Sequence, residues 1–145
     1  MTDTAPPESD IRVRAATRED LPALEQLIAE FVKAYRLLPR TQDELSDLIS
    51  FGFVACEGVR LVGFAALEIY SSKLAEIRSL AVVPEMQGRG LGKRLVDECI
   101  DLARSRNVLE VMAITSAEGF FQSCGFEFTL PGEKKALFMQ TREEA

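Results

Sequence analysis

The sequence predicts one α/β domain, and three observations carry that expectation. Apolar residues recur at two-residue spacing in some stretches and at three- to four-residue spacing in others, so strands alternate with amphipathic helices. A turn at Gly58 joins two apolar runs as a hairpin. An apolar strand ending at Val83 passes through Gly88, Gly90 and Gly92 into an amphipathic helix. The element order reads βααβββαβαββ. At 145 residues the chain has the length of one domain with a real core, without repeats or internal linkers. Met1 to Asp10 is polar, with two prolines, and is expected to be a short disordered lead, leaving residues 11–145 as the single domain.

Each element follows from local pattern. Ile11-Arg12-Val13-Arg14 alternates as a first strand. Thr17-Arg18-Glu19-Asp20 opens a helix whose apolar face is Leu21, Leu24, Ile28, Phe31 and Tyr35, and Leu38-Pro39-Arg40 interrupts it. Thr41-x-x-Glu44 is a capping box that starts a second, short helix through Leu45, Leu48 and Ile49. Phe53–Glu57 and Leu61–Tyr70 form the hairpin, and Leu74–Val83 is the strand that feeds the glycine turn. The helix after the turn carries Leu91, Leu95, Cys99, Leu102 and Ala103 on one face. Leu109–Thr115 is expected as a buried strand, Ala117–Cys124 as a short helix ended by Gly125, and two closing strands near Phe126–Phe128 and Ala136–Gln140.

Composition narrows the function. The net charge of −6 argues against nucleic acid, which demands a basic face. Arg89, Lys93 and Arg94 are a local exception beside the glycines. Histidine is absent, which removes histidine triads, histidine bases and most zinc sites; no metal is expected. Cys56, Cys99 and Cys124 lie far apart with no C-x-x-C, the usage of reduced thiols in a cytoplasmic protein. No apolar run reaches membrane-spanning length.

The turn Gln87-Gly88-Arg89-Gly90-Leu91-Gly92-Lys93 is the most informative stretch. Its glycines let backbone approach a ligand, and the following helix start adds unpaired N–H groups and a positive dipole end, which together suit phosphate. A P-loop is excluded by spacing: three residues separate Gly88 from Gly92, and Arg94 stands where a metal-binding hydroxyl would follow Lys93. A dinucleotide fingerprint would need glycine at Lys93 and an earlier place in the domain.

Gln87-x-x-Gly90-x-Gly92, directly after Leu80-Ala81-Val82-Val83-Pro84 and with Gly125-Phe126 ending a short helix downstream, resembles the acetyl-CoA signature of the GNAT superfamily of N-acetyltransferases. The resemblance runs from about Ile11 to Met139. It implies a mixed central sheet with helices on both faces. It also implies acetyl-CoA as cosubstrate, its pyrophosphate held by Gln87, Gly88, Arg89, Gly90, Leu91, Gly92 and Lys93. Backbone groups of Leu80, Ala81 and Val82 would meet the thioester, one N–H serving the carbonyl oxygen. Acetyl transfer would proceed by direct attack of the amine. Glu76, a carboxylate in the otherwise apolar Leu74–Leu80 stretch, is the candidate general base, since partial burial tunes a carboxylate for that work; the competing expectation is a Glu76–Arg78 pair on an exposed strand face. Phe121 stands where many family members carry the tyrosine that serves as general acid.

Glu118-Gly119-Phe120-Phe121, Leu37-Leu38-Pro39-Arg40 and Ala75-Glu76-Ile77-Arg78 look like the acetyltransferase domain of N-acetylglutamate synthases. By that resemblance the acceptor is an amino acid such as glutamate, with Arg40, and alternatively Arg78, on its carboxylate. A polyamine, an antibiotic or a protein N-terminus are the other acceptors, and a non-catalytic acetyl-CoA-binding module is the alternative of a different class. Family members are often dimers, so a homodimer is the assembly the resemblance points to, though no interface stripe is legible.

Overall fold

The computed structural model describes residues 10–34, 37, 39–128, 137, 139 and 141. Five strands, β1 (Ile11–Ala15), β2 (Gly52–Glu57), β3 (Arg60–Ile69), β4 (Leu74–Val82) and β5 (Glu110–Met112), lie side by side in chain order. Neighbours are antiparallel until β5, which runs parallel to β4 and makes the sheet mixed. Between them in the chain stand α1 (Leu21–Lys33), α2 (Gln42–Ile49) and α3 (Leu91–Ser105), and α4 (Glu118–Ser123) follows β5.

The helix starts obey local chemistry. Thr17 and Asp20 form a capping box around a 3-10 turn that leads into α1, with Asp20 Oδ2 accepting from the Thr17 N–H at 2.7 Å. The Thr41–Glu44 box opens α2, the Thr41 hydroxyl accepting from the Glu44 N–H at 3.2 Å. Both β3 faces are covered. A side chain at Gly63 would meet Leu95 of α3 at 3.1 Å, whereas Phe64, one residue on, packs its ring at Gly52 beside the Leu48 carbonyl of α2. Period-two alternation therefore puts α3 on one face and α1–α2 on the other. Phe64, Leu24, Leu67, Leu95 and Val96 are fully buried between them.

One irregularity matters for function. Phe64 pairs with Ala81, yet Ala66 pairs with Arg78, so Ala65 alone spans Ser79 and Leu80. Ser79 takes φ 57°, a left-handed conformation rare outside glycine, and forms a β-bulge that bends β4. The β4–β5 ladder covers only Leu74–Glu76 against Glu110–Met112. Beyond Glu76 the two strands part.

That parting corrects the expected buried strand at Leu109–Thr115. The strand is Glu110–Met112 alone, half-buried at most, and Leu109 and Ile114 are 73% and 59% exposed. With β4 bent away there is no ladder to continue. The expected strand at Phe126–Phe128 is also absent. The Phe126 N–H instead donates to the Phe121 carbonyl and the Gly125 N–H to that of Gln122, a Schellman cap on α4 with Gly125 at φ 97°. The remaining closing strand, Ala136–Gln140, falls mostly outside the described residues, as do Tyr35 of the predicted α1 face and residues 1–9 of the predicted lead.

Candidate active site

A cleft of about 920 Å³ begins at the glycine turn and runs between the parted strands. One wall is Ile77, Ser79, Leu80, Ala81 and Val82 of β4; the opposite wall is Ala113 to Ala117 with Phe120, Phe121 and Ser123. Phe31 and Leu37 close it from the α1 side. The split sheet thus opens a passage from the α3 face to the α1–α2 face.

The turn occupies the cleft mouth. Gly88 and Gly90 hold φ of 82° and 80°, where a Cβ would be strained, and Gly90 is the residue before α3. Among the described residues nothing in the fold accepts from the amides of Gly88 to Lys93; the first amide of α3 bonded back is that of Arg94, to the Gly90 carbonyl at 3.1 Å. Gln87 fastens the turn to the sheet, its Nε2 donating to the Val82 carbonyl at 2.9 Å. The Val83 N–H donates to Val62 of β3, so strand alternation turns Val82's N–H and carbonyl toward the gap. Gln87 takes the carbonyl, and the N–H faces the cleft.

The three cations that the sequence sets beside the glycines are placed differently. Lys93 lines the cleft, its Nζ 3.3 Å from Asp97. Arg89 is exposed and does not line the cleft, and Arg94 reaches the Ile11 carbonyl of β1 at 3.5 Å. Gly92 sits under Phe120, whose ring would be 3.1 Å from any Cβ added there. Phe121, 7% exposed, lines the wall and offers no proton.

On the α1–α2 face lies a group of charges. Glu76 is 7% exposed, so the expectation of an open surface pair with Arg78 fails. Its Oε1 accepts from the Tyr70 hydroxyl at 2.5 Å and stands 3.7 Å from Arg78 Nη1. Arg78 Nη1 donates to Glu68 Oε1 at 2.6 Å and to the Tyr70 oxygen at 3.1 Å. Register explains the grouping, because Glu68 sits directly opposite Glu76 across the β3–β4 ladder. Burial, then Glu76, pushes the Tyr70 hydroxyl up to about 12, so it remains a donor at any working pH. Burial and the like charge of Arg78 lower the proton affinity of Arg40, which leads into α2, and its Nε is buried without a partner. Glu76 itself does not line the cleft; its neighbour Ile77 does.

Sequence reasoning missed Tyr70 and Glu68, which carry no motif, and the Ser79 bulge. The three cysteines are free thiols, and burial raises those of Cys56 and Cys99, the latter to about 12, so neither serves as a nucleophile. Among the described residues no His, Cys, Asp or Glu group is arranged for a metal, and no helix is long and apolar enough to cross a membrane.

The described residues thus form a mixed sheet split beside a turn whose amides no group in the fold claims. Residues 15–126 match the Acetyltransferase (GNAT) family, and the chain belongs to it: it is an N-acetyltransferase. It is 32% identical over 121 residues to an uncharacterised N-acetyltransferase of Chlorobaculum tepidum, covering 83% of this chain and 78% of that one. It is 33% identical over 117 residues to the amino-acid acetyltransferase of Mycobacterium tuberculosis, covering 79% and 67%. Among solved structures, N-acetylglutamate synthase of Neisseria gonorrhoeae, complexed with coenzyme A and N-acetyl-glutamate, superposes with a TM-score of 0.71 at 30% identity over 78% of this chain. This chain spans only 27% of that synthase.

Proposed function

We propose that the protein transfers the acetyl group of acetyl-CoA to the α-amine of a free amino acid, the acceptor class that the resemblance to the synthases puts first. What supports this is the pair of features beside the split sheet: unclaimed amides at the mouth of the cleft, and on the α1–α2 face, outside the cleft's lining, a buried carboxylate and a guanidinium with a spare donor. The amides of Gly88 to Lys93, with the Gln87 brace and the Lys93 ammonium, would hold the pyrophosphate, an arrangement in which helix-terminal N–H groups favour an anion. Arg89, exposed at the turn, would screen it from outside. Leu80, Ala81 and Val82 would align the carrier's arm along β4, with the Val82 N–H aimed at the thioester oxygen. A donor so placed is worth roughly 3–4 kcal/mol of barrier.

Glu76 would take the proton of the incoming ammonium through a water, since it stands beside the passage and not in its wall. Arg40 would hold the acceptor's carboxylate, giving its buried Nε a partner; Arg78 is the second cation of this face. Phe121 leaves the departing thiolate to be protonated by water. The three free thiols, Cys56 and Cys99 buried and Cys124 partly so, support a cytoplasmic setting.

The test is thiol release from acetyl-CoA over a panel of amino acids, polyamines and aminoglycosides. An amino acid should lead by at least tenfold in kcat/KM. A polyamine in front would overturn the acceptor assignment and keep the transferase.

A further inference from the structure

The two arginines of the acceptor face are not equivalent. Arg78 Nη1 is engaged by Glu68 at 2.6 Å, with Tyr70 at 3.1 Å and Glu76 at 3.7 Å. Arg40 makes no ion pair among the described residues and keeps a buried, unpartnered Nε. Among the described residues of this face only Arg40 is therefore open to an incoming carboxylate, while Glu68 and Glu76 supply negative charge beside it. Glu68 Oε1 lies 3.5 Å from the Tyr70 hydroxyl, whose shorter bond of 2.5 Å goes to Glu76, so the close partner of Glu68 is Arg78. Glu68 lies across the ladder from Glu76, its side chain 42% exposed, so it is accessible from the acceptor side.

We propose that Glu68 is a specificity-determining residue: by occupying Arg78 it turns the site against acceptors with a second carboxylate and selects amino acids with an uncharged side chain. This rests on Arg40 holding the α-carboxylate. An acceptor bound there with its amine toward Glu76 lies within the field of Glu68, because Glu68 faces Glu76 across the β3–β4 ladder and Arg40 interacts electrostatically with Arg78, Glu44, Glu68 and Glu76. A side-chain carboxylate would then face Glu68 with no cation among the described residues left to pair it, whereas an amide of the same shape would not. Unpaired like charges are the means by which sites reject near-isosteres.

Glutamate and glutamine isolate this one charge. Thiol-release kinetics on the wild type, Glu68→Gln and Glu68→Asp should show wild-type kcat/KM favouring glutamine by at least tenfold. Glu68→Gln should move the ratio at least tenfold toward glutamate, through the glutamate KM, while Glu68→Asp keeps the wild-type ratio. Melting curves check that the variants fold. In the wild type alone, raising ionic strength should narrow the handicap of glutamate through its KM and leave that of glutamine flat, since screening weakens repulsion at an exposed carboxylate. A wild-type preference for glutamate, a ratio unmoved in Glu68→Gln, or a salt-independent ratio overturns the proposal with the amino-acid reading intact. Turnover of neither amino acid by any of the three proteins overturns that reading as well.

Discussion

Replacing Tyr70 with Phe removes one hydroxyl and leaves the ring in place, so no cavity forms. What is lost is the 2.5 Å hydrogen bond to Glu76, whose next donor is Arg78 Nη1 at 3.7 Å, beyond hydrogen-bond reach. A hydrogen bond to a charged group contributes roughly 1.5–3 kcal/mol. If Glu76 is the base and Tyr70 fixes its orientation, most of that appears in the barrier, about a ten- to hundredfold fall in kcat. The KM for acetyl-CoA should stay within twofold, because Tyr70 is remote from the glycine turn. The melting temperature should fall by only a few degrees, since the ring is 47% exposed and the bond lies near water. Steady-state kinetics with thermal denaturation reads all three. A lowered melting temperature with kcat intact would show that Tyr70 merely braces the end of β3, and the positioning argument would fall. The phenol gives a second check. The chain has two tyrosines, and phenolate absorbance should show one ionising near pH 12 that disappears in Tyr70→Phe. The raised value means the folded state holds this proton more tightly. Its stabilising contribution is therefore complete below about pH 10 and is lost as pH climbs from 10 toward 12.

The remaining predictions concern the other parts of the site and the frame. Glu76→Gln should lower kcat by about 10²–10⁴, the usual worth of a general base, with acetyl-CoA affinity by calorimetry unchanged; an unaltered pH–rate profile would remove Glu76 from the mechanism. Arg40→Ala should raise the amino-acid KM about ten- to hundredfold and leave that for acetyl-CoA alone, and because it discards a desolvated cation its melting temperature should hold. Gly90→Ala places a Cβ at φ 80° and should cost about 1–2 kcal/mol in stability, with weaker acetyl-CoA binding measured by calorimetry. Asp20 is held below the ordinary carboxylate range, first by its hydrogen bond from Arg14. That contribution is complete above about pH 4 and vanishes as pH falls through the folded value, so Asp20→Asn should flatten the acid limb of stability against pH.

What the sequence disclosed and what it withheld divide along the reach of the interactions involved. The α2 capping box, the Gly58 hairpin and the passage from β4 through the glycines into α3 are all fixed by residues within a few positions of one another, and each stands where pattern put it. The glycine spacing was legible because only a residue without Cβ holds φ near 80° at Gly88 and Gly90. Glu76 was legible as an anomaly, an acid in an apolar strand. Its partners were not, because Tyr70 and Glu68 come to it only through the β3–β4 register, and a one-residue slip would send them to the other face. That register is set by the β3–β4 turn, where the Tyr70 N–H donates to the Leu74 carbonyl, and farther along β4 stands the bulge at Ser79, a serine at positive φ, which no rule of composition announces. The same bulge bends β4, ends the β4–β5 ladder at Glu76 and opens the cleft, so the exposed Ile114 follows from it too. The apolar run Leu109–Thr115 promised a buried strand because periodicity reports which residues could be covered, never whether a neighbour is there to cover them. Substituting Ser79 therefore tests the account at its root. Ser79→Gly relaxes the left-handed strain and should keep the passage and activity. Ser79→Val, whose branched side chain disfavours that conformation, should lower stability and kcat together, and full activity in the valine variant would show that the split sheet does not depend on the bulge.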